Sequence, residues 1–152
     1  MSNATKHTVI GGLIAATLDI VYAFVFFGFR GVSAITILQS VASGVLGNES
    51  YRRGVPAALL GLVLHYLIML IIAFVFLVAA RRLDVLARRP VLCGAAFGVI
   101  VYCVMNFIVV PLSASPGEFR FDPIVVPAGV LVHMFFIGVP IALAVRAGLK
   151  RS

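Results

Sequence analysis

Long runs of apolar residues alternate along this chain with short polar connections. Four of the runs reach the ~20 residues that a helix needs to cross the ~30 Å hydrocarbon core of a bilayer. They cover residues 8–29, 56–80, 90–112 and 124–145. The segments between them are too short to form a second folding unit. The pattern therefore predicts an all-α protein, an integral membrane four-helix bundle in which residues 1–152 form a single transmembrane domain.

The connection after the first run has a mixed composition. Residues 32–46 combine Ile, Leu and Val with Ser, Thr and Gln, so they are too polar and too short for a span. This mixture is typical of a helix that lies at the membrane surface or dips back between spans. We therefore expect a short interfacial or re-entrant helix between spans 1 and 2, and an irregular loop at residues 113–123.

The first run shares two features with a secretory signal peptide. Lys6 precedes it, and residues 32–34 would offer a small-residue cleavage site. Its apolar stretch is nevertheless longer than the roughly 7–15 residues of a signal core, and Asp19 interrupts it. We therefore expect an uncleaved first span.

Composition places the chain among membrane proteins. Hydrophobic residues make up 62% of it and charged residues 11%, against about 25% charged residues in soluble domains. The formal net charge of +7 would suit a nucleic-acid-binding protein, but the basic residues are distributed among the connections and do not share one face. We therefore expect the lipid bilayer as the main partner and no nucleic acid, and the sequence identifies no protein partner.

The basic residues also predict the orientation of the bundle. The N-terminus, the connection between spans 2 and 3 and the C-terminus share one side of the membrane. That side holds eight basic residues: Lys6, Arg81, Arg82, Arg88, Arg89, Arg146, Lys150 and Arg151. The other side holds four: Arg30, Arg52, Arg53 and Arg120. By the positive-inside rule the first side is cytoplasmic, so we expect a bacterial inner-membrane protein with both termini in the cytoplasm.

Two cysteines, Cys93 and Cys103, both fall within the third run. A straight helix would separate them by about 15 Å along its axis, so they cannot pair with each other. Their spacing matches neither a redox motif nor a zinc site. We expect both to be buried thiols without a chemical role.

Two weak internal matches suggest a duplicated helical hairpin. Spans 2 and 4 each carry Val-Pro-Ala, then a glycine, then a histidine four residues after that glycine: residues 55–57 with Gly61 and His65, and residues 126–128 with Gly129 and His133. Spans 1 and 3 each place a polar residue eight positions after a glycine: Asp19 after Gly11, and Asn106 after Gly98. Both halves would run in the same direction, as a parallel two-hairpin repeat.

Four polar residues within the spans are predicted to share one depth. Counted from the outer span ends, Asp19, His65, Asn106 and His133 lie ~9 to ~15 Å below the boundary at 1.5 Å per residue. A carboxylate in hydrocarbon costs roughly 2.5–3.5 kcal/mol on insertion scales, so the aspartate should face the bundle interior. Tyr22 and Tyr66 are candidate accessory residues because each lies on a span close to one of these side chains.

Four interpretations of this layer stay open. The side chains can be interhelical hydrogen-bond partners that only hold the bundle together. They can bind or pass a proton, an ion or a small polar solute, and a homo-oligomer would then supply room for a pathway. His65 and His133 can ligate a b-type haem or a metal ion, although nothing else in the sequence requires a cofactor. The fourth interpretation is an enzyme acting on lipid, which is the least expected because no serine lies beside a candidate base.

Three stretches resemble those of small, uncharacterised bacterial inner-membrane proteins: residues 38–47, 61–65 and 105–113. The resemblance covers most of the chain and implies four spans, but it brings no assigned activity and no functional residues. The working hypothesis is a small multi-pass inner-membrane protein that binds or passes a proton, ion or small polar solute at the polar layer. A structural or assembly role is the alternative.

Overall fold

The computed structural model describes residues 2–117 and 119–150, which fold into helices joined by short connections. The helices are α1 (Asn3–Gly28), α2 (Ala34–Leu46), α3 (Gly54–Ala80), α4 (Asp84–Arg88), α5 (Pro90–Leu112) and α6 (Val125–Leu149). A 3₁₀ turn, Gly47–Arg52, joins α2 to α3. The helices α1, α3, α5 and α6 are long and apolar enough to cross a membrane. The predicted all-α, four-span membrane bundle is confirmed.

Serine caps explain where α1 and α2 begin. The hydroxyl of Ser2 accepts from the backbone N–H of Thr5, and the hydroxyl of Ser33 accepts from the N–H of Thr36. Each cap satisfies one of the backbone donors that the first helical turn leaves unpaired. The helix α1 therefore starts at Asn3, five residues before the predicted apolar run. At the other end of the chain α6 continues to Leu149, beyond the predicted residue 145.

The two ends of the bundle are built differently, and we name its halves accordingly. The terminal half holds the start of α1, the end of α6 and α4, and the capped half is covered by α2 and residues 113–117 and 119–124. In the terminal half, α1 and α6 pack so closely that a Cβ on Gly148 would lie 2.8 Å from the Cα of Ala4. Phe76 of α3 and Ile141 and Val145 of α6 fill the centre with at most 1% of their surface exposed.

The helix α2 packs into the capped half against α3. Gly61 faces the backbone of Leu38 so closely that a Cβ at this glycine would overlap the Leu38 carbonyl. Gly61 lies seven residues into α3, about 10 Å from its start. The far end of α2 reaches the end of α5, where the N–H of Ala114 donates to the Gly44 carbonyl over 3.0 Å. The short helix predicted between spans 1 and 2 therefore exists, and it lies alongside the spans.

Both α5 and α6 contain one widened π-helical turn in the capped half. The turns span Met105–Val109 and His133–Gly138. A proline follows each turn closely, at Pro111 and Pro140. Since proline has no N–H and its ring crowds the carbonyl four residues earlier, regular α-helical bonding is interrupted there. The two turns begin beside Asn106 and at His133, which are two of the four residues of the predicted polar layer.

The matched positions of the two hairpins have different surroundings. Gly61 packs against the backbone of α2, whereas Gly129 packs against the ring of Tyr102 in α5. The π-helical turns are in α5 and α6, while α1 and α3 are continuous α-helices. The duplication stays a prediction from the sequence.

The cysteine prediction is partly wrong, because Cys103 is exposed on the outer surface of α5 and Cys93 is only partly buried.

Candidate polar site inside the bundle

Two adjoining cavities occupy the capped half. The larger one, which we call the vestibule, has a volume of about 260 Å³ and runs from Phe27 and Val125, at the helix ends, down to Asp19 and His133. The smaller one, the chamber, has a volume of about 130 Å³ and lies deeper, with Val41 of α2 in its wall. Asp19 and His133 line both cavities.

All four residues of the predicted polar layer lie on these cavities. Asn106 lines the vestibule together with Asp19 and His133. His65 lines the chamber with the same two residues. The structure therefore brings the aspartate and His133 to the junction of the cavities, with one further polar residue on either side.

The carboxylate of Asp19 has no hydrogen-bond donor among the residues that the structure describes. Among the described residues, every side-chain oxygen or nitrogen that is fully buried has a hydrogen-bond partner. An oxygen without a partner must therefore be accessible. The aspartate oxygens therefore face open space. The two histidines, His133 and His65, lie near enough to interact with this carboxylate electrostatically. An intramembrane acid in this position can take up a proton or bind a solute without breaking any protein contact.

His65 ties α3 to α1. Its Nε2 lies 2.9 Å from the carbonyl oxygen of Ala16, and only 8% of the residue is exposed. Because a carbonyl can only accept, Nε2 carries the proton and donates it to this bond. Nδ1 is then the ring nitrogen left with a lone pair. The histidine thus stabilises the contact between the two helices and still offers one acceptor.

His133 bonds within its own helix. Its Nδ1 donates to the carbonyl of Gly129 over 2.9 Å, which leaves Nε2 with the lone pair. The ring of Tyr102 meets the imidazole edge-on, with 5.2 Å between ring centroids. Two glycines make this arrangement possible: Gly129 leaves space for the tyrosine ring, and Gly98 lets α5 approach the His133 backbone. The imidazole is therefore held from two sides at the junction of the cavities.

Asn106 and Tyr22 complete the vestibule wall. The Nδ2 of Asn106 donates to the carbonyl of Tyr102 over 2.9 Å, which leaves its Oδ1 and one N–H for a solute. Tyr22 lines the same cavity one turn along α1 from Asp19. Both residues therefore line the cavity that contains Asp19.

Tyr66 lies elsewhere. Its hydroxyl is 2.9 Å from the hydroxyl of Thr17, and Thr17 itself donates to the carbonyl of Leu13. The tyrosine is therefore the donor in a contact between α1 and α3, and Thr17 is exposed at the bundle surface. The structure does not bring Tyr66 to either cavity.

The site is a poor match for haem or a metal ion. Within residues 2–117 and 119–150, no three His, Cys, Asp or Glu side chains converge on a point where a metal could bind. A haem would have to compete with Ala16 for the Nε2 of His65. Each cavity is also smaller than the ~300–1,000 Å³ of typical cofactor and drug pockets. The geometry therefore supports solvent-sized or small organic guests.

A salt bridge joins the helices at the mouth of the vestibule, which sequence reasoning missed. Arg30, after α1, contacts Asp122 over 3.0 Å. The other oxygen of Asp122 accepts from the N–H groups of Val125 and Ile124, at 2.9 and 2.8 Å, and so caps the start of α6. These backbone hydrogen bonds, followed by the Arg30 charge, hold the pKa of Asp122 below its ordinary value of 3.8. Tyr102 was also missed, although it lies one turn before Asn106.

A scan against protein-family models, a search of curated proteins and a search of solved structures each found no match for this chain. The candidate site therefore rests on the geometry of the chain itself. The resemblance to small bacterial inner-membrane proteins stays a prediction from residues 38–47, 61–65 and 105–113.

Proposed function

We propose that this multi-pass membrane protein binds protons at Asp19 and passes them through the vestibule. One observation carries the proposal. A cavity leads from the capped end of the bundle to the carboxylate of Asp19, which accepts no hydrogen bond from any described residue. A carboxyl group, two histidines and a cavity wide enough for several water molecules are the components of known intramembrane proton relays. At about 30 Å³ of liquid volume per water, the vestibule has room for roughly eight.

The direction of access follows from the predicted orientation. If the eight basic residues of the terminal half face the cytoplasm of a bacterial inner membrane, the vestibule opens toward the periplasm. The terminal half would then be the barrier, because Phe76, Ile141 and Val145 close its centre. Passage to the cytoplasm would require these side chains to separate. The π-helical turns of α5 and α6 are the positions where such a movement would break the fewest backbone hydrogen bonds.

The room for this chemistry exists within a single chain. The proposal therefore does not need a homo-oligomer to supply room for a pathway. Formation of a homo-oligomer stays a separate prediction. Asn106 and Tyr22 would order water in the vestibule, while His133 would exchange protons with Asp19 at the junction of the cavities.

The test is proton flux into liposomes that contain the purified protein and an enclosed pH-sensitive dye. We expect flux above that of protein-free liposomes, and a fall to the protein-free rate in Asp19→Asn. The matched control is Asp84→Asn, which changes an exposed carboxylate in α4 and should leave the flux unchanged. Equal flux in wild type and Asp19→Asn would exclude the aspartate as the relay.

A purely structural role is the second candidate, and the bond from His65 to the Ala16 carbonyl favours it. An interhelical hydrogen bond of this kind contributes about 0.6 kcal/mol on average within membranes. If wild-type liposomes carry no more protons than protein-free ones while His65→Phe lowers the free energy of unfolding, the polar layer serves the bundle alone.

A further inference from the structure

A lipid-facing groove runs between α3 and α5. Its volume is about 370 Å³, and the part that faces lipid is lined by exposed aliphatic side chains such as Ile71, Val75 and Ile100. No polar residue lines it. A groove of this kind fits a single hydrocarbon chain that lies parallel to the helices, because its walls are as apolar as the bilayer and offer close van der Waals contact.

The groove adjoins the polar chamber. The side chains of Ile68, Ile72, Val101 and Met105 line both of them. These four residues are therefore the partition between the bilayer and the cavity that holds Asp19, His65 and His133. Three of them, Ile68, Ile72 and Val101, are β-branched and stiff, whereas Met105 is unbranched and flexible and belongs to the π-helical turn of α5. A rotamer change of Met105 can open a passage beside the three stiffer side chains without moving a helix.

The chamber has an unusual balance of hydrogen-bonding groups. Both histidine N–H groups in the neutral rings are engaged by the carbonyls of Ala16 and Gly129. What remains are the lone pairs on Nδ1 of His65 and Nε2 of His133, together with the Asp19 carboxylate, all of which accept hydrogen bonds. A guest of the chamber should therefore donate. A buried acceptor that meets no donor is costly, so a guest without a donor is disfavoured.

We propose that groove and chamber together bind an amphiphile from the bilayer, with a single apolar chain in the groove and a hydroxyl head in the chamber. The head is small: a chamber of about 130 Å³ is close to the ~150 Å³ that accommodates a benzene-sized ring. A hydroxyl group, free or on one ring, satisfies both limits. The proposal rests on the proposed function in one respect, because the head would meet the same aspartate.

The experiment uses the full chain in lipid nanodiscs and a long-chain alcohol that carries a photoreactive diazirine near its hydroxyl end. We expect saturable labelling within residues 68–72 and 101–105, mapped by mass spectrometry. Unlabelled dodecanol should compete at least about tenfold better than dodecyl methyl ether, which has the same chain but no donor. Equal competition by the two compounds would overturn the assignment of a donating head.

Variants separate the groove from the rest of the surface. Ile72→Trp places a bulky ring between groove and chamber and should abolish the saturable labelling. Val78→Trp, on the same helix at a position that is 60% exposed, is the matched control and should label like the wild type. If Ile72→Trp does not fold, Val101→Phe tests the partition from α5. Unchanged labelling in a folded partition variant would refute the site.

Proton flux distinguishes this proposal from the proposed function. If Asp19→Asn loses flux but no alcohol labels the groove of the wild type, the relay stands and the amphiphile site falls. If the alcohol labels the groove saturably while the wild type shows no flux, the amphiphile site stands and the relay falls.

Discussion

The terminal half and the capped half of this bundle consist of the same four spans but are packed in different ways. In the terminal half, small residues such as Ala4 and Gly148 let the helices touch, and Phe76 fills what remains. In the capped half, two cavities remain between the helices, and polar side chains line them. The tightly packed core and the polar cavities thus lie at opposite ends of the spans. Variants in the two halves should therefore differ in how they change stability and proton flux.

The largest loss of stability is expected in the terminal half. The side chain of Phe76 is only 1% exposed, so Phe76→Ala leaves a cavity in the core. This variant should lower the free energy of unfolding by on the order of 3 kcal/mol. Flux per folded molecule should rise, because the Phe76 ring is part of the barrier that closes the terminal half. Phe74→Ala is the control, since that ring is 36% exposed on the same helix. Unfolding in detergent measures both variants, and a similar loss in both would show that α3 is not packed as described.

A glycine substitution in the capped half should affect both properties. A valine at Gly98 would overlap the carbonyl of His133, so Gly98→Val should cost about 1–3 kcal/mol through overpacking and displace the histidine. We expect reduced proton flux as well as reduced stability. Gly28→Val is the control because no heavy atom lies within 4 Å of the added Cβ. Normal flux in a destabilised Gly98→Val would show that the position of His133 is unimportant.

The two histidines should separate stability from flux at a smaller scale. His65→Phe removes a hydrogen bond between helices and should cost about 0.6–1.7 kcal/mol. His133→Phe removes a bond within one helix and should cost less, yet reduce flux more, because His133 lines both cavities. Unfolding and liposome flux measured on both variants provide the check. The reverse order in either measurement would contradict the assignment.

The smallest effect concerns the mouth of the vestibule and depends on pH. Because the pKa of Asp122 in the folded chain lies below its ordinary 3.8, its stabilising contribution is present above that value and disappears as pH falls through the lowered pKa. The stability difference between wild type and Asp122→Asn should therefore be constant above about pH 5 and shrink in more acidic solution. Glu49→Gln, in an exposed pair with Arg52, controls for surface charge. If the stability difference between wild type and Asp122→Asn grows as the pH falls, the pKa of Asp122 is raised and not lowered by folding.

The fold could be predicted from the sequence because the bilayer imposes it. Apolar runs of about 20 residues have few other solutions in hydrocarbon, and the structure follows them to within a few residues. Counting along straight helices predicted that Asp19, His65, Asn106 and His133 lie at one depth, and all four line the two adjoining cavities. Counting can bring residues of different helices to one level because the rise along a straight helix is constant, at about 1.5 Å per residue.

Orientation about each helix axis could not be predicted in this way. Tyr66 is adjacent to His65 in sequence, and adjacent residues on a helix point about 100° apart, so it faces Thr17 and not the cavities. The salt bridge between Arg30 and Asp122 joins residues 92 positions apart, and no pattern along the chain connects them. Tyr102 could have been predicted as a site residue, because it lies four residues before Asn106 and residues four apart share a helix face.

The position of α2 has a consequence for the order in which the protein is assembled. This helix holds its place partly through the Gly44 carbonyl and Ala114, and Ala114 is synthesised 70 residues later. At 5–20 residues per second the wait is roughly 4–14 s. Spans 1 and 2 must therefore enter the bilayer and persist with an unfinished cover. The cover is fixed only when the third span has been completed, and the polar cavities are closed only when α6, with His133, has joined the bundle.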